Sequence, residues 1–314
     1  MKDRFERKIE YLRLSVTDLC NYRCIYCMEE SGVRKKSHSE ILSIEELTDI
    51  VKATYMLGIR KVRLTGGEPL LRRGILTLCE NIKAIDPDIE LSLTTNGSLL
   101  YDMAQPLKKA GVDRINLSLD TLNPDKFRQI TRTGEIFDVM NGLKAAQLVG
   151  FERIKINVVL MGGINTDEIK DFAELIRYSD YSVRFIELMP MNVCKGWDKS
   201  RFVSNEIILT TLEDMQKISD DGVSQLYRID GCKGTIGLIS PISQLFCYQC
   251  NRIRVTADGF LKPCLHSKDE FPLRGLKGEE LVEAIRDGIM QKPLRHDLDC
   301  FSTQTARNMN QIGG

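Results

Sequence analysis

Between residues 11 and 190 the chain repeats a strand followed by helical sequence, and nearly every strand has one polar and one apolar face. Strands are read at 11–17 (YLRLSVT), 61–65 (KVRLT), 89–97 (IELSLTTNG), 113–120 (DRINLSLD), 153–161 (RIKINVVLM) and 183–189 (VRFIELM). Ser43 with Glu46 has the form of a capping box, with Ile44, Leu47, Ile50 and Val51 at helical spacing behind it. Further helices are expected near 74–85 and 101–110. Such alternation implies a parallel sheet, open or curled into a barrel.

A parallel strand buried on both sides should be apolar on both faces. Five of the six alternate instead. Arg13, Ser15 and Thr17 share a face, as do Lys61, Arg63 and Thr65, then Ser92, Thr94 and Asn96. Arg114, Asn116, Ser118 and Asp120 continue the pattern, followed by Arg153, Lys155 and Asn157. If the apolar faces meet the helices, the polar faces line the space the sheet encloses, which is too charged for a packed core. An antiparallel sheet with one wet face would also alternate, but helical segments separate every pair of strands. The chain is therefore read as α/β, an incomplete (βα)6 TIM-type barrel with a C-terminal extension closing the lumen. Residues 1–195 are expected to form the partial barrel and 196–314 the C-terminal region. Arg13, Lys61, Arg63 and Lys155 would favour an anionic ligand such as a phosphate chain. The sixth strand fits less well, since Arg184 and Glu187 have opposite parity; a bulge there would reconcile them.

Forty-four basic residues balance 44 acidic ones, so a bulk polyelectrolyte such as duplex DNA is not suggested as a partner. The N-terminus lacks an apolar targeting core and no run of 18 apolar residues occurs, which reads as a soluble cytoplasmic protein without a membrane partner. Ten cysteines in such a chain are read as metal ligands or free thiols rather than disulfides.

Cys20, Cys24 and Cys27 lie at C-x3-C-x2-C spacing after the first strand, at the barrel face where such folds build their sites. A structural zinc site wants four ligands, and His38 is the nearest candidate for a fourth. A 4Fe-4S cluster on three thiolates instead leaves one iron open for an exogenous ligand. This motif, with Tyr26 just before its last cysteine, resembles the signature of the radical S-adenosylmethionine enzymes. By that resemblance S-adenosylmethionine itself chelates the open iron, and Tyr26 lies against the adenine. The TGGEP turn, Thr65 to Pro69, resembles the family's second mark: Gly66 and Gly67 would let backbone approach the cofactor's amino group, with Glu68 offering charge complementarity. Cleaving a sulfonium requires a strongly reducing cluster, and iron–sulfur potentials extend to about −700 mV.

A second set, Cys247, Cys250 and Cys264, stands around a hairpin read from RIRVT, the turn Asp258-Gly259 and FLKPC. Spacing alone leaves two readings open: a zinc knuckle completed by His266, Cys232 or Cys300, or a second three-thiolate 4Fe-4S cluster. Over nearly its whole length the chain is similar to the branch of the radical family that acts on GTP in molybdenum cofactor biosynthesis. The likeness rests on LRLSVTDLCNYRCIYC, VRLTGGEPLLRR, RINLSLDTL, GLISPISQLFCYQCNRIRVTADGFLKPCL and the terminal NQIGG. It implies two 4Fe-4S clusters, the second with an open iron facing the guanine. It also implies hydrogen abstraction from the ribose 3′ carbon, attack on guanine carbon 8, and a cyclised triphosphate product.

Carried over by position, Arg13, Lys61, Arg63, Thr94, Lys155, Arg184, Arg252, Ile253 and Arg254 match GTP contacts. Gly67, Ser118 and Met189 match S-adenosylmethionine contacts. Arg13, Arg252, Arg254, Gly313 and Gly314 are expected to serve catalysis, the double-glycine tail by reaching into the site. Implied partners are a cyclic pyranopterin monophosphate synthase downstream and an electron donor of flavodoxin or ferredoxin type; a homodimer is compatible with the sequence. Cys79, Cys194, Cys232 and Cys300 are read as buried inert thiols. Glu6 departs from the family's usual glycine before an arginine, Leu19 from a common arginine, and MEESG from a proline-containing loop; 212–230 matches poorly. Two readings compete: a radical enzyme with an auxiliary cluster acting on a peptide or other small molecule, and a zinc-bearing binding module.

Overall fold

The computed structural model describes residues 1–194, 197–296 and 303–313. The barrel portion runs β1 (Tyr11–Ser15), α1 (Ile44–Met56), β2 (Lys61–Thr65), α2 (Ile75–Ile85), β3 (Glu90–Thr95) and α3 (Leu100–Lys109). It continues through β4 (Arg114–Ser118), α4 (Pro124–Thr131), α5 (Ile136–Leu148), β5 (Lys155–Leu160), α6 (Ile169–Glu174) and β6 (Ser182–Glu187). Then follow α7 (Glu206–Thr211), β7 (Met215–Asp221), β8 (Ser224–Ile229), β9 (Thr235–Ile239), β10 (Arg252–Val255) and β11 (Phe260–Lys262). Last come β12 (Phe271–Pro272), α8 (Gly278–Met290) and α9 (Met309–Ile312).

All these strands form one sheet in the order β12-β11-β10-β1-β2-β3-β4-β5-β6-β9-β8-β7. The six expected strands pair in parallel as read, and β10 and β9 extend the parallel run beside β1 and β6. The sheet does not close, because beyond β9 and β10 it turns antiparallel. Residues after 195 thus do more than cover the lumen, supplying a parallel strand at each edge of it.

The local signals act as their chemistry requires. Ser43 and Glu46 exchange hydrogen bonds of 2.8 and 3.1 Å and start α1, which buries Leu47, Ile50 and Val51. The apolar strand faces, among them Leu12, Leu14, Val62, Leu64, Leu91, Leu93, Ile156 and Val158, are at most 1% exposed and join the helices in the main core. Burying such a side chain contributes about 1.5–3 kcal/mol, enough to fix the register of every strand.

Register then sets the polar row: Arg254 lies opposite Arg13, Arg13 opposite Arg63, and Arg63 opposite Ser92. Asn157, Arg184 and Gly237 form a second row on β5, β6 and β9. No bulge is needed in β6, whose pairing with β5 runs unbroken from Ser182 to Glu187. Arg184 faces the lumen, while Glu187 turns away and accepts the backbone N–H groups of Asn205 (3.2 Å), Ile242 (3.1 Å) and Ser243 (3.0 Å). Arg153 does not reach the lumen as expected: it precedes β5, exposed, with φ at 52°.

Candidate active site

Arg13, Arg63, Arg184, Arg252 and Arg254 converge on one cavity. Their charges are poorly compensated. The Nε atoms of Arg13, Arg63, Arg184 and Arg252 are buried without a hydrogen-bond partner, and the ring of Tyr11 lies 5.3 Å from the Arg63 guanidinium and 5.9 Å from that of Arg252. Burial, and then the charges of Arg254, Arg252 and Arg63, pull the Arg13 guanidinium well below its usual range. Burial and Arg252 bring Arg254 down to about 10. Such a cluster carries an unpaid desolvation and repulsion cost until an anion enters. Lys155 and Arg184 are the exception, since Asp221 reaches both, at 3.2 and 2.6 Å.

Other residues on the polar faces stand elsewhere. Lys61 shares the face of Arg63 but is exposed at the strand's start, 3.7 Å from Glu90, which also binds Arg114 at 3.0 Å. Thr94 is half-buried in the row with Asn116, its Oγ1 unpartnered. Ile253 is fully buried on the opposite face of β10, packed in the core.

The first cysteine loop is fastened to the GGEP turn. Gly67 N–H donates to the Thr17 carbonyl and Glu68 N–H to that of Leu19, both at 2.8 Å. A Cβ on Gly66, at φ 135°, would stand 2.1 Å from the Thr17 carbonyl oxygen, and one on Gly67 would stand 2.2 Å from that of Leu19. These glycines are thus required by the approach of the cysteine loop itself. Glu68 likewise does not project its charge into the site as expected. Its fully buried carboxylate accepts from Leu70 N–H (3.0 Å), Thr95 Oγ1 (2.8 Å) and Asn96 N–H (2.7 Å), and burial lifts it to about 7. Tyr26 donates to Asp120 at 2.7 Å, fixing its ring beside the loop. Ser118 pairs with Asn157 across β4 and β5, and Met189 lies on the cavity wall.

Burial pushes the Cys20 thiol up to about 11, and burial with mutual repulsion pushes Cys24 and Cys27 well above their ordinary value. Thiolates at such positions need a cationic metal centre to hold them, which suits the donor set to an iron–sulfur cluster. Among the described residues no three His, Cys, Asp or Glu side chains gather around a single metal ion.

Cys247, Cys250 and Cys264 all line the arginine cavity. Burial would raise the Cys250 thiol, but Lys292 and Arg252 bring it down to about 7. Lys292 also clamps the loops, donating to the carbonyls of Arg252 (2.8 Å) and Pro263 (2.7 Å). Of the groups considered for a zinc knuckle, His266 is on the cavity wall, Cys232 is not, and Cys300 lies outside the described residues. Cys79 and Cys194 are buried as read. Cys232 is only half-buried, because it follows the Asp230-Gly231 turn at the surface end of β8.

The C-terminal tail spans the two cysteine sets. Asn310 donates its backbone N–H to the Cys27 sulfur and its side chain to the Asp18 carbonyl at 2.9 Å. Arg254 donates to the Gly313 carbonyl, and Gly313, at φ 77°, packs on Thr65 so closely that a Cβ would stand 2.3 Å from Thr65 Cγ2. Gly314 lies outside the described residues.

Sequence reasoning missed Asp221, Lys292, Asn310 and Arg7. Arg7 pairs with Asp3 and donates to the carbonyls of Cys247 (2.8 Å), Pro293 (2.7 Å) and Leu294 (3.0 Å). One signal was present, because Glu6 stands where glycine is usual and has φ 63°, the left-handed conformation that a glycine would take without strain.

Residues 14–176 match the Radical SAM superfamily, and 181–298 match Molybdenum Cofactor Synthesis C. The fold is similar to that of Streptococcus suis SuiB bound to S-adenosylmethionine, with a TM-score of 0.62, 15% identity, and coverage of 90% of this chain and 66% of that one. The fold and the first cysteine loop define a radical S-adenosylmethionine enzyme. The GTP 3′,8-cyclase of Alkaliphilus metalliredigens (strain QYMF) is 47% identical over 320 residues, covering all of both chains. That of Peptoclostridium acidaminophilum is 46% identical, covering 99% of this chain and 98% of its own. The chain belongs to the GTP 3′,8-cyclase family.

Proposed function

We propose that the arginine-lined cavity holds GTP with its phosphates among Arg13, Arg63, Lys155 and Arg184 and its guanine toward Cys247, Cys250 and Cys264. The enzyme is a radical S-adenosylmethionine GTP cyclase of molybdenum cofactor synthesis, forming the 3′,8-cyclised triphosphate. The observation that carries the placement is the set of buried arginines, four of them with an unpartnered Nε, that line one cavity with the second cysteine set. Guanidinium forks match phosphate oxygens in pairs, so they orient a triphosphate as well as neutralise it. Lys61 and Thr94 would act from the rim, by charge and by the free Thr94 hydroxyl.

Cys20, Cys24 and Cys27 would hold the first cluster, with S-adenosylmethionine beside Tyr26, Gly66, Gly67, Ser118 and Met189. When bound there, S-adenosylmethionine supplies the one-electron chemistry that removes the ribose 3′ hydrogen. Arg252, Arg254 and the Gly313-Gly314 tail would keep the nucleotide oriented and exclude water while the new bond forms. Residues 1–195 would act as the barrel that carries the first cluster, and 196–314 as the region that carries the second cluster and the Gly-Gly tail, both contributing to the nucleotide cavity. The enzyme works in the cytoplasm, receives electrons from a flavodoxin- or ferredoxin-type donor, and passes its product to cyclic pyranopterin monophosphate synthase. Among the described residues no helix is long and apolar enough to cross a membrane. The homodimer compatible with the sequence is tested by light scattering of the reconstituted enzyme.

The experiment is a label transfer. Reconstituted anaerobically and given dithionite, S-adenosylmethionine and GTP deuterated at the ribose 3′ carbon, the enzyme should yield 5′-deoxyadenosine carrying deuterium. Deuterium retained wholly in the nucleotide would sink the assigned abstraction.

A further inference from the structure

The hairpin of β7 and β8 projects from the far edge of the sheet, and β7 is exposed along nearly its whole length. Its neighbouring carboxylates behave differently. Asp220 pairs with Lys217 on the same strand at 3.0 Å. Asp221, the last residue before the turn, points its Oδ2 at Arg184 Nη2, 2.6 Å away, and at Lys155 Nζ, 3.2 Å away. Both cations are nearly buried, at 8% and 11% side-chain exposure, while Asp221 is half exposed. Gly237, opposite Arg184 on β9, leaves the room: a Cβ there would stand 3.0 Å from Arg184 Cγ. Of the cavity's five arginines, only Arg184 forms an ion pair with a carboxylate among the described residues. A surface hairpin thus supplies one anion to Arg184 on the cavity wall and to Lys155, two residues before the cavity-lining Asn157 on β5.

We propose that Asp221 is an internal competitor for the triphosphate: it holds Lys155 and Arg184 when no nucleotide is bound and yields them to the phosphates on binding, thereby setting the affinity for substrate and product. The inference rests on the reading that Lys155 and Arg184 take the phosphates. A triphosphate offers more charge and more acceptor oxygens than a carboxylate, so the exchange favours the nucleotide. The exchange also needs little rearrangement, because β7 is bonded on one side only and a Cβ at its turn residue Gly222 would meet nothing within 4 Å. The product keeps all three phosphates, so a carboxylate waiting to reclaim the cations would speed its release.

The test is equilibrium binding of GTP and GMP to the reconstituted holoenzyme without reductant, in Asp221→Asn and Asp221→Ser. Both variants should bind GTP about three- to tenfold more tightly at ~0.05 M salt, the gain shrinking as salt rises. GMP, which lacks the distal phosphates, should change less than about twofold. Unchanged or weaker GTP binding would overturn the proposal, as would an equal gain for both nucleotides, which would mean a long-range charge effect alone. Arg184→Ala separates the two readings: if it leaves GTP affinity intact, the phosphate assignment itself fails. If it weakens GTP while the Asp221 variants do not tighten it, only the competitor fails.

Discussion

Replacing Arg63 by methionine should make the ligand-free enzyme more stable and the GTP complex much weaker. Arg63 is 8% exposed, its Nε has no partner, and register sets it beside Arg13, which in turn adjoins Arg254. Neighbouring strands are about 4.8 Å apart, and guanidiniums that splay to roughly 7 Å repel by about 2 kcal/mol at an effective dielectric near 20. Methionine keeps the apolar stem but gives up the contact with Tyr11, about 1 kcal/mol. The balance is a gain of about 1 kcal/mol, or roughly 2 °C in an anaerobic melt of the ligand-free protein. Losing a charge-assisted hydrogen bond to phosphate costs about 2–3 kcal/mol, so GTP affinity should fall roughly 30- to 150-fold in equilibrium dialysis. A variant less stable than the parent without GTP would refute the idea that the arginine row is strained. Unchanged affinity would refute its role in holding the nucleotide.

Other outcomes follow from single contacts. Gly66→Ala puts a Cβ 2.1 Å from the Thr17 carbonyl, so the first cysteine loop should be displaced. Iron analysis should find about half the parent's iron, with the second cluster's signal retained; full iron would count against it. Burial, with Arg184 beside it, pulls Lys155 down to about 7, so between that value and its unfolded value near 10 the unfolded chain holds the proton better, and this residue's stability contribution rises with pH. GTP prefers the charged lysine, so affinity should fall as pH rises through about 7, and Lys155→Arg should flatten the profile; GTP's own titration is common to both proteins. Glu6→Gly relieves φ 63° and should raise stability by about 1 kcal/mol in chemical denaturation, since the ion pair it loses to Lys2 is exposed.

The parallel sheet and the arginine row were legible because side-chain parity is a local property. Arg13, Arg63 and Lys155 alternate with residues that must be buried, so their face follows once the helices cover the other side. Parity fixes a face but not a height along the barrel. Lys61 and Arg114 share faces with true lumen residues, yet both sit at the strand starts, engaged with Glu90. Glu187 and Arg184 looked inconsistent only while both were assumed to face inward; the unpaired N–H groups near Asn205 and Ser243 give the glutamate a reason to face outward. Asp221, Lys292 and Asn310 were illegible for another reason. Each acts across 29 or more positions of chain, where no spacing rule applies. Glycines at 66 and 67 were visible, but the partner that demands them is the Thr17 and Leu19 backbone, known only once the loop is folded.

The pairing of β10 with β1 also fixes how the two cysteine sets lie. In this parallel pair Arg252 is opposite Tyr11, and Val255 is opposite Leu14. Cys247 and Cys250 come just before β10, while Cys20, Cys24 and Cys27 follow the end of β1, so the sets occupy opposite ends of the same strand pair. β11 runs antiparallel to β10, which returns Cys264 to the end occupied by Cys247 and Cys250. At about 3.3 Å per residue, the path from Tyr11 to Ser15 alone separates the ends by roughly 13 Å. A single ligand that meets both sets must therefore lie along the strands and pass the Arg254–Arg13–Arg63 row between them. A barrel closed by eight strands of its own would have no free edge for β10, and the second cysteine set could not be registered against the first by main-chain pairing.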